Sequence, residues 1–186
     1  MLGRVLTAAA ESPLARRVVS QFPPTRRVVD RFVAGEDVAA ARAAVERLTA
    51  DGFAVTVDHL GEHVRDAAVA AATAKAYLAL LGELRALGLG DRAEVSLKLS
   101  ALGQALGRDG ERIALDHARQ ICAAAREAGV QVTLDMEDHT TTDSTLEILR
   151  ALRADFPGTG VALQACLRRT EADCRDLAGP GSRVRL

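Results

Sequence analysis

The stretch Val130–Gln–Val–Thr–Leu–Asp–Met–Glu–Asp–His139 decides the fold. Side chains alternate along a strand, so Val132, Leu134 and Met136 fall on one face and Gln131, Thr133, Asp135 and Glu137 on the other. A helix that stops at Gly129 precedes the run, and another starts near Thr142–Asp143. A strand between two helices reads as a βαβ unit, where polar groups at the strand's C-terminal end are the usual seat of chemistry. Asp135 is the best-placed such group in the sequence.

The same unit recurs on both sides. Strands are expected at 53–58, 94–99, 160–166 and 183–186 as well as at 130–136. Helices are expected from Glu62 to about Leu87, at 110–128, from Asp143 to about Ala154, and at 170–177. Gly88–Leu89–Gly90 reads as a helix C-cap rather than a phosphate loop. Ahead of these units, residues 1–50 read as N-terminal helices broken at Pro13 and Pro23–Pro24, the last running from about Asp37 to Ala50. Two segments follow from this: helices over 1–50 and repeated strand–helix units over 51–186.

Strands separated by such helices imply a parallel sheet with right-handed crossovers. In an open doubly wound sheet the strands are apolar on both faces. Here one set is apolar (Val55, Val57; Val95, Leu97, Leu99; Val132, Leu134; Val161, Leu163; Val184, Leu186) and belongs under helices. The other is polar: Thr56, Asp58; Ser96, Lys98, Ser100; Thr133, Asp135; Gln164; Arg183, Arg185. A polar inner face suits a (β/α)8 TIM-type barrel with a ligand at its mouth. Such a barrel needs eight strands and about 250 residues, so the 186 residues are expected to form a truncated barrel of about five strands.

Composition narrows the partners. A net charge of −1 gives no electrostatic case for nucleic acid. One Tyr, four Phe and no Trp argue against base-stacking platforms. Cys122, Cys166 and Cys174 form no CxxC, which suggests a reducing compartment, and Cys166 reads as a small buried hydrophobe rather than a nucleophile. No apolar run approaches the roughly 18 residues a membrane span needs. Arg4, Arg16 and Arg17 around Ala8–Ala10 do not make a signal peptide. The expectation is a soluble, cytoplasmic protein.

The last inward residue of strands two to five is Lys98, Asp135, Gln164 and Arg185. A cation, a carboxylate, an amide and a fixed guanidinium would thus meet at one mouth. Buried charges must pair with each other or with a ligand, and the alternative is a polar network that fills the interior. His59 and His63 are four apart, but Glu62 is displaced from the HExxH pattern, so no metal site is expected there. Glu137, Asp138 and His139 suit either a divalent ion beside Asp135 or the acidic lead into the next helix.

At Val95–Ser–Leu–Lys–Leu–Ser–Ala–Leu–Gly103 the sequence resembles the proline dehydrogenase family, most closely its monofunctional bacterial members. The likeness continues through Leu134–Asp–Met–Glu–Asp138, Leu163–Gln–Ala–Cys–Leu–Arg–Arg–Thr170 and Arg183–Val–Arg–Leu186. Phe32–Val–Ala–Gly35 and Val57–Asp–His–Leu–Gly–Glu62 match as well, so it covers nearly the whole chain. The resemblance implies a distorted (β/α)8 barrel that binds FAD and oxidises L-proline to Δ1-pyrroline-5-carboxylate. It also implies a quinone acceptor in the membrane, with peripheral contact at its inner face. By resemblance, Lys98 holds the proline carboxylate and Asp135 is the active-site aspartate. Met136 touches the flavin through its backbone, Gln164 bonds the isoalloxazine, and Arg185 stands near flavin N5.

The family's chain continues into a Lys–Gly–Ala–Tyr segment, further nucleotide-holding strands and a final helix with an Arg–Arg pair and a Glu. The chain 1–186 is therefore expected to bind FAD poorly and to lack turnover alone. A separate C-terminal half or a homo-oligomer would complete it. The alternatives are a non-catalytic half-barrel that acts as a partner-binding scaffold and a metal-dependent barrel lyase built on Asp135, Glu137 and His139.

Overall fold

The structure is a computed structural model that describes residues 33–186. The expected helices before residue 33 lie outside the described residues. The chain splits between Ala44 and Val45, and the second unit, Val45–Leu186, is compact.

Helix α1 (Val38–Ala50) begins where the Asp37 carboxylate accepts from the Ala40 N–H at 2.8 Å. Within the second unit the order is β1 (Val55–Asp58), α2 (Ala67–Leu87), β2 (Ala93–Lys98), α3 (Gly110–Ala128) and β3 (Gln131–Asp135). Then come α4 (Thr142–Asp155), β4 (Gly160–Ala162), α5 (Thr170–Leu177) and β5 (Val184–Arg185). The five strands form one parallel sheet in sequence order, β1-β2-β3-β4-β5. An in-order parallel sheet has no switch point where the winding reverses, which sets it apart from a doubly wound fold.

The apolar set lies as the alternation predicts on the three central strands, but Val184, on the edge strand β5, and Leu186, just after it, are exposed rather than covered by helices. Val95, Leu97, Leu99, Val132, Leu134, Val161 and Leu163 are buried, together with Tyr77, Leu81, Leu84, Ile121, Leu149 and Leu152 from the helices. Val55 and Val57, on the outermost strand, are only half-buried. Burying a side chain of this size is worth about 1.5–3 kcal/mol, so this layer is what drives the sheet and its helices together.

Polar contacts on the other face measure the curvature. Arg183 Nη2, just ahead of β5, reaches Glu94 Oε1 on β2 at 2.8 Å, and Arg185 Nη2 on β5 reaches Ser96 Oγ, also on β2, at 3.2 Å. In a flat sheet these strands stand three spacings apart, about 14 Å, beyond the joint reach of Arg185 and a serine. The sheet therefore curls around its polar face, as five consecutive strands of a β/α barrel do.

Several edges differ from the sequence reading. Helix α2 starts at Ala67 instead of Glu62, because His63 adopts φ 53° and Asp66 caps the Ala68 and Val69 amides. Gly88 and Gly129 end α2 and α3 in the left-handed conformation, as expected. Strand β4 ends at Ala162, so Cys166 sits in a turn and is exposed, which corrects its reading as a buried hydrophobe. The membrane expectation is also corrected: α2 is 21 residues long, and by length and composition alone it is apolar enough to cross a bilayer. Its alanines raise the mean hydropathy without making a continuous leucine-like run, and Tyr77, Leu80, Leu81 and Leu84 are buried.

Candidate active site

Three tiers of polar side chains line the concave face. In the lowest, Glu94 accepts from Thr133 Oγ1, from Arg183 Nη2 at 2.8 Å and from Thr56 Oγ1 at 3.2 Å. Burial alone would raise the Glu94 pKa, but these three donors and the Arg183 charge outweigh it and hold the carboxyl below its ordinary range. Gly160 makes room here, since a Cβ on it would stand 2.6 Å from Thr133 Oγ1.

The middle tier joins Asp135 and Arg185 in an ion pair on the Asp135 Oδ1 atom. Ser96 Oγ donates to that same oxygen at 2.7 Å and accepts from Arg185 Nη2. Lys98, level with Asp135 in the sheet, pairs with Asp58 rather than with Asp135. Burial alone would lower the Lys98 pKa. The Asp58 hydrogen bond and the charges of Asp58, Asp135 and Glu137 raise it instead, so the ammonium is firmly protonated.

At the rim, Glu137 ties three loops together. Its carboxylate accepts from Ser100 N at 3.0 Å and Ser100 Oγ at 2.7 Å, and Ser100 Oγ in turn accepts from the His63 N–H at 2.8 Å. Gln164 Nε2 donates to the Glu137 carbonyl at 2.9 Å, while its Oε1 takes no hydrogen bond from the described residues. Gln164 stands beyond the end of β4, in a loop, and Thr170 Oγ1 holds its carbonyl. Met136 follows Asp135 directly and is buried.

Lys98, Asp135 and Arg185 thus stand at one end of the sheet, and Gln164 follows in the loop after β4; the structure joins Asp135 to Arg185 directly, while Lys98 is bonded to Asp58 and Gln164 to Glu137. The sequence reading misses Asp58, the last inward residue of β1 and the partner of Lys98. The rule that found the other four finds Asp58 once it is applied to the first strand too. It also misses Tyr77, whose signal is that a lone buried tyrosine needs a partner for its hydroxyl. Tyr77 Oη accepts from the His59 N–H at 3.1 Å and donates to the Ser96 carbonyl at 2.7 Å, with Asp58 Oδ1 at 3.2 Å.

Among the described residues no group of three His, Cys, Asp or Glu is placed to hold a metal. Asp138 turns to the Thr140 N–H at 2.6 Å and begins the turn before α4, and the His59 ring rests against Tyr77 at 5.9 Å. A cavity of about 270 Å³ lies at the opposite end of the strands, between Cys122, Val132, Phe156 and Arg183, away from this chemistry.

A curved five-stranded parallel sheet in sequence order, with opposite charges paired at its C-terminal mouth, has the architecture of a partial β/α barrel. A family model described as proline dehydrogenase matches residues 41–183. The proline dehydrogenase of Deinococcus radiodurans is 35% identical over 185 residues, covering 98% of this chain and 58% of that protein. Proline dehydrogenase 1 of Bacillus subtilis is 34% identical over 165 residues, covering 87% of this chain and 52% of that protein. The crystal structure of proline utilization A from Bdellovibrio bacteriovorus, inactivated by N-propargylglycine, superimposes with a TM-score of 0.73 at 24% identity. It covers 82% of this chain and 18% of that one. The chain belongs to the proline dehydrogenase family, and it spans about half the length of the curated relatives it matches.

Proposed function

We propose that this chain supplies the substrate and flavin side of a proline dehydrogenase, which oxidises L-proline to Δ1-pyrroline-5-carboxylate. The observation that carries the reading is the Asp135–Arg185 pair, with the Lys98–Asp58 pair at the same end of a sheet of this family.

FAD fits the donor set. A half-exposed guanidinium on Arg185 and an amide oxygen on Gln164 without a partner among the described residues suit a ring edge that offers both donors and acceptors. Gln164, Arg185 and the Met136 backbone would hold the flavin. Bound there, the flavin would supply the acceptor for a hydride from the proline carbon next to nitrogen. Lys98 neutralises the substrate carboxylate and draws on a charge that Asp58 keeps in place. Asp135 fixes Arg185, whose guanidinium cannot lose its proton and so presents a permanent positive charge where electron density accumulates. The substrate carboxylate enters by exchange with Asp58, since Lys98 is already paired. The acceptor in this reading is a membrane quinone, and the protein works in the cytoplasm against the inner face of the membrane.

The test is the absorption spectrum of the chain mixed with FAD, alone and with the part of the Deinococcus radiodurans relative that lies beyond the matched region. A bound-flavin spectrum that bleaches on adding L-proline is expected with both parts present. Arg185→Met and Asp135→Ala should each abolish the bleaching. A flavin-loaded pair indifferent to L-proline would sink the reading.

A further inference from the structure

We propose that Ser96 is a positioning residue for the Asp135–Arg185 pair, and that Tyr77 locks Ser96 from the helix side of the sheet. This rests on the reading of Arg185 and Asp135 as the catalytic pair.

Arg185 stands on a strand with two paired residues, and its side chain is 47% exposed. A guanidinium on a free stem keeps the rotamer freedom of a long flexible side chain. Asp135 alone fixes it through one oxygen. Ser96 supplies a second anchor, because its hydroxyl receives from Arg185 Nη2 at 3.2 Å while donating to Asp135 Oδ1 at 2.7 Å. Only a small group that both gives and takes a hydrogen bond closes this triangle. Ser96 is 2% exposed, so no water replaces its hydroxyl without rearrangement.

The Ser96 backbone is fixed in an unusual way. Among the described residues no direct bond joins the His59 N–H, next after the Asp58–Ser96 pair, to a carbonyl of β2. Instead the Tyr77 hydroxyl is spliced between the strands, taking the His59 proton at 3.1 Å and giving its own to the Ser96 carbonyl at 2.7 Å. Tyr77 comes from α2 and is 1% exposed. One hydroxyl therefore parts the ends of β1 and β2 and pins the residue that orients Arg185.

The experiment reads the order of the Arg185 guanidinium by ¹H–¹⁵N NMR of the full chain, its signal assigned by its loss in Arg185→Lys. The parent should show a resolved guanidinium signal in slow exchange with water. Ser96→Ala should broaden it toward the averaged signal of a free arginine, and Ser96→Thr, which keeps the hydroxyl, should restore it. Tyr77→Phe should broaden it as well and speed exchange of the His59 amide. An unchanged signal in Ser96→Ala overturns the role of Ser96, and an unchanged signal in Tyr77→Phe overturns that of Tyr77. If Ser96→Ala fails to fold, Ser96→Cys, with similar bulk and a weak donor, carries the same reading. Bleaching by L-proline is measured separately, so failure of the functional reading leaves this result standing.

Discussion

Burial pushes the Cys122 thiol up to about 11, so at neutral pH it stays protonated and unreactive, with the Thr159 hydroxyl at 4.0 Å. Cys166, in its turn, is exposed. Alkylation at pH 8 followed by peptide mass spectrometry should label Cys166 within minutes and leave Cys122 unlabelled until the protein unfolds. Gly160 is a second residue whose size matters. A methyl there would crowd Thr133 Oγ1 at 2.6 Å and Arg183 Cβ at 3.4 Å. Gly160→Ala should lower stability by about 1–3 kcal/mol, read as a shift in the urea midpoint. Neither point is visible in the sequence. A thiol's pKa depends on what covers it, and Gly160 reads there only as a strand start.

The elements themselves were largely legible, because an amphipathic period survives any error about packing. Helices 110–128 and 170–177 have the expected bounds, and the other elements differ mainly at their ends. The errors have local causes. The strand reading of 160–166 rests on apolar residues that the structure uses in a loop, where Gln164 and Thr170 make the contacts. The sequence places the start of α2 too early, because its cap, Asp66, is one of several acids along that stretch. Its carboxylate accepts from Ala68 N at 2.7 Å and Val69 N at 3.3 Å. Asp66→Ala should cost about 1 kcal/mol, measured by thermal unfolding, and Asp66→Ser should recover most of it. Of the site, strand alternation reveals which side chains share a face. It does not reveal that Lys98 chooses Asp58 over Asp135, a choice set by how far the sheet curls.

At the scale of the molecule, the curl is held by the tier at Glu94. Its folded-state pKa lies below the ordinary 4.5 of a glutamate, although burial opposes this. The stability it contributes is therefore present above about pH 4.5 and is lost as pH falls through the lowered folded value. Glu94→Gln should flatten the melting temperature's dependence on pH below 4.5, and should loosen β5, whose Arg183 carbonyl is held at its other end by Arg153 at 3.2 Å. Arg183→Met should act in the same direction, and a melting curve as steep in acid as the parent's would contradict the clamp.

The β4–β5 ladder has one more consequence. The Val161 and Leu163 amides, both buried residues, give their protons to the Arg183 and Arg185 carbonyls at 3.2 and 2.8 Å. Those two protons are a clock on the last strand. Each time it lifts away, deuterium from the solvent can enter, while neighbouring amides such as that of Val130, held by Ala125, keep their hydrogen. The exchange rate at two named positions thus counts how often Arg185 leaves its place.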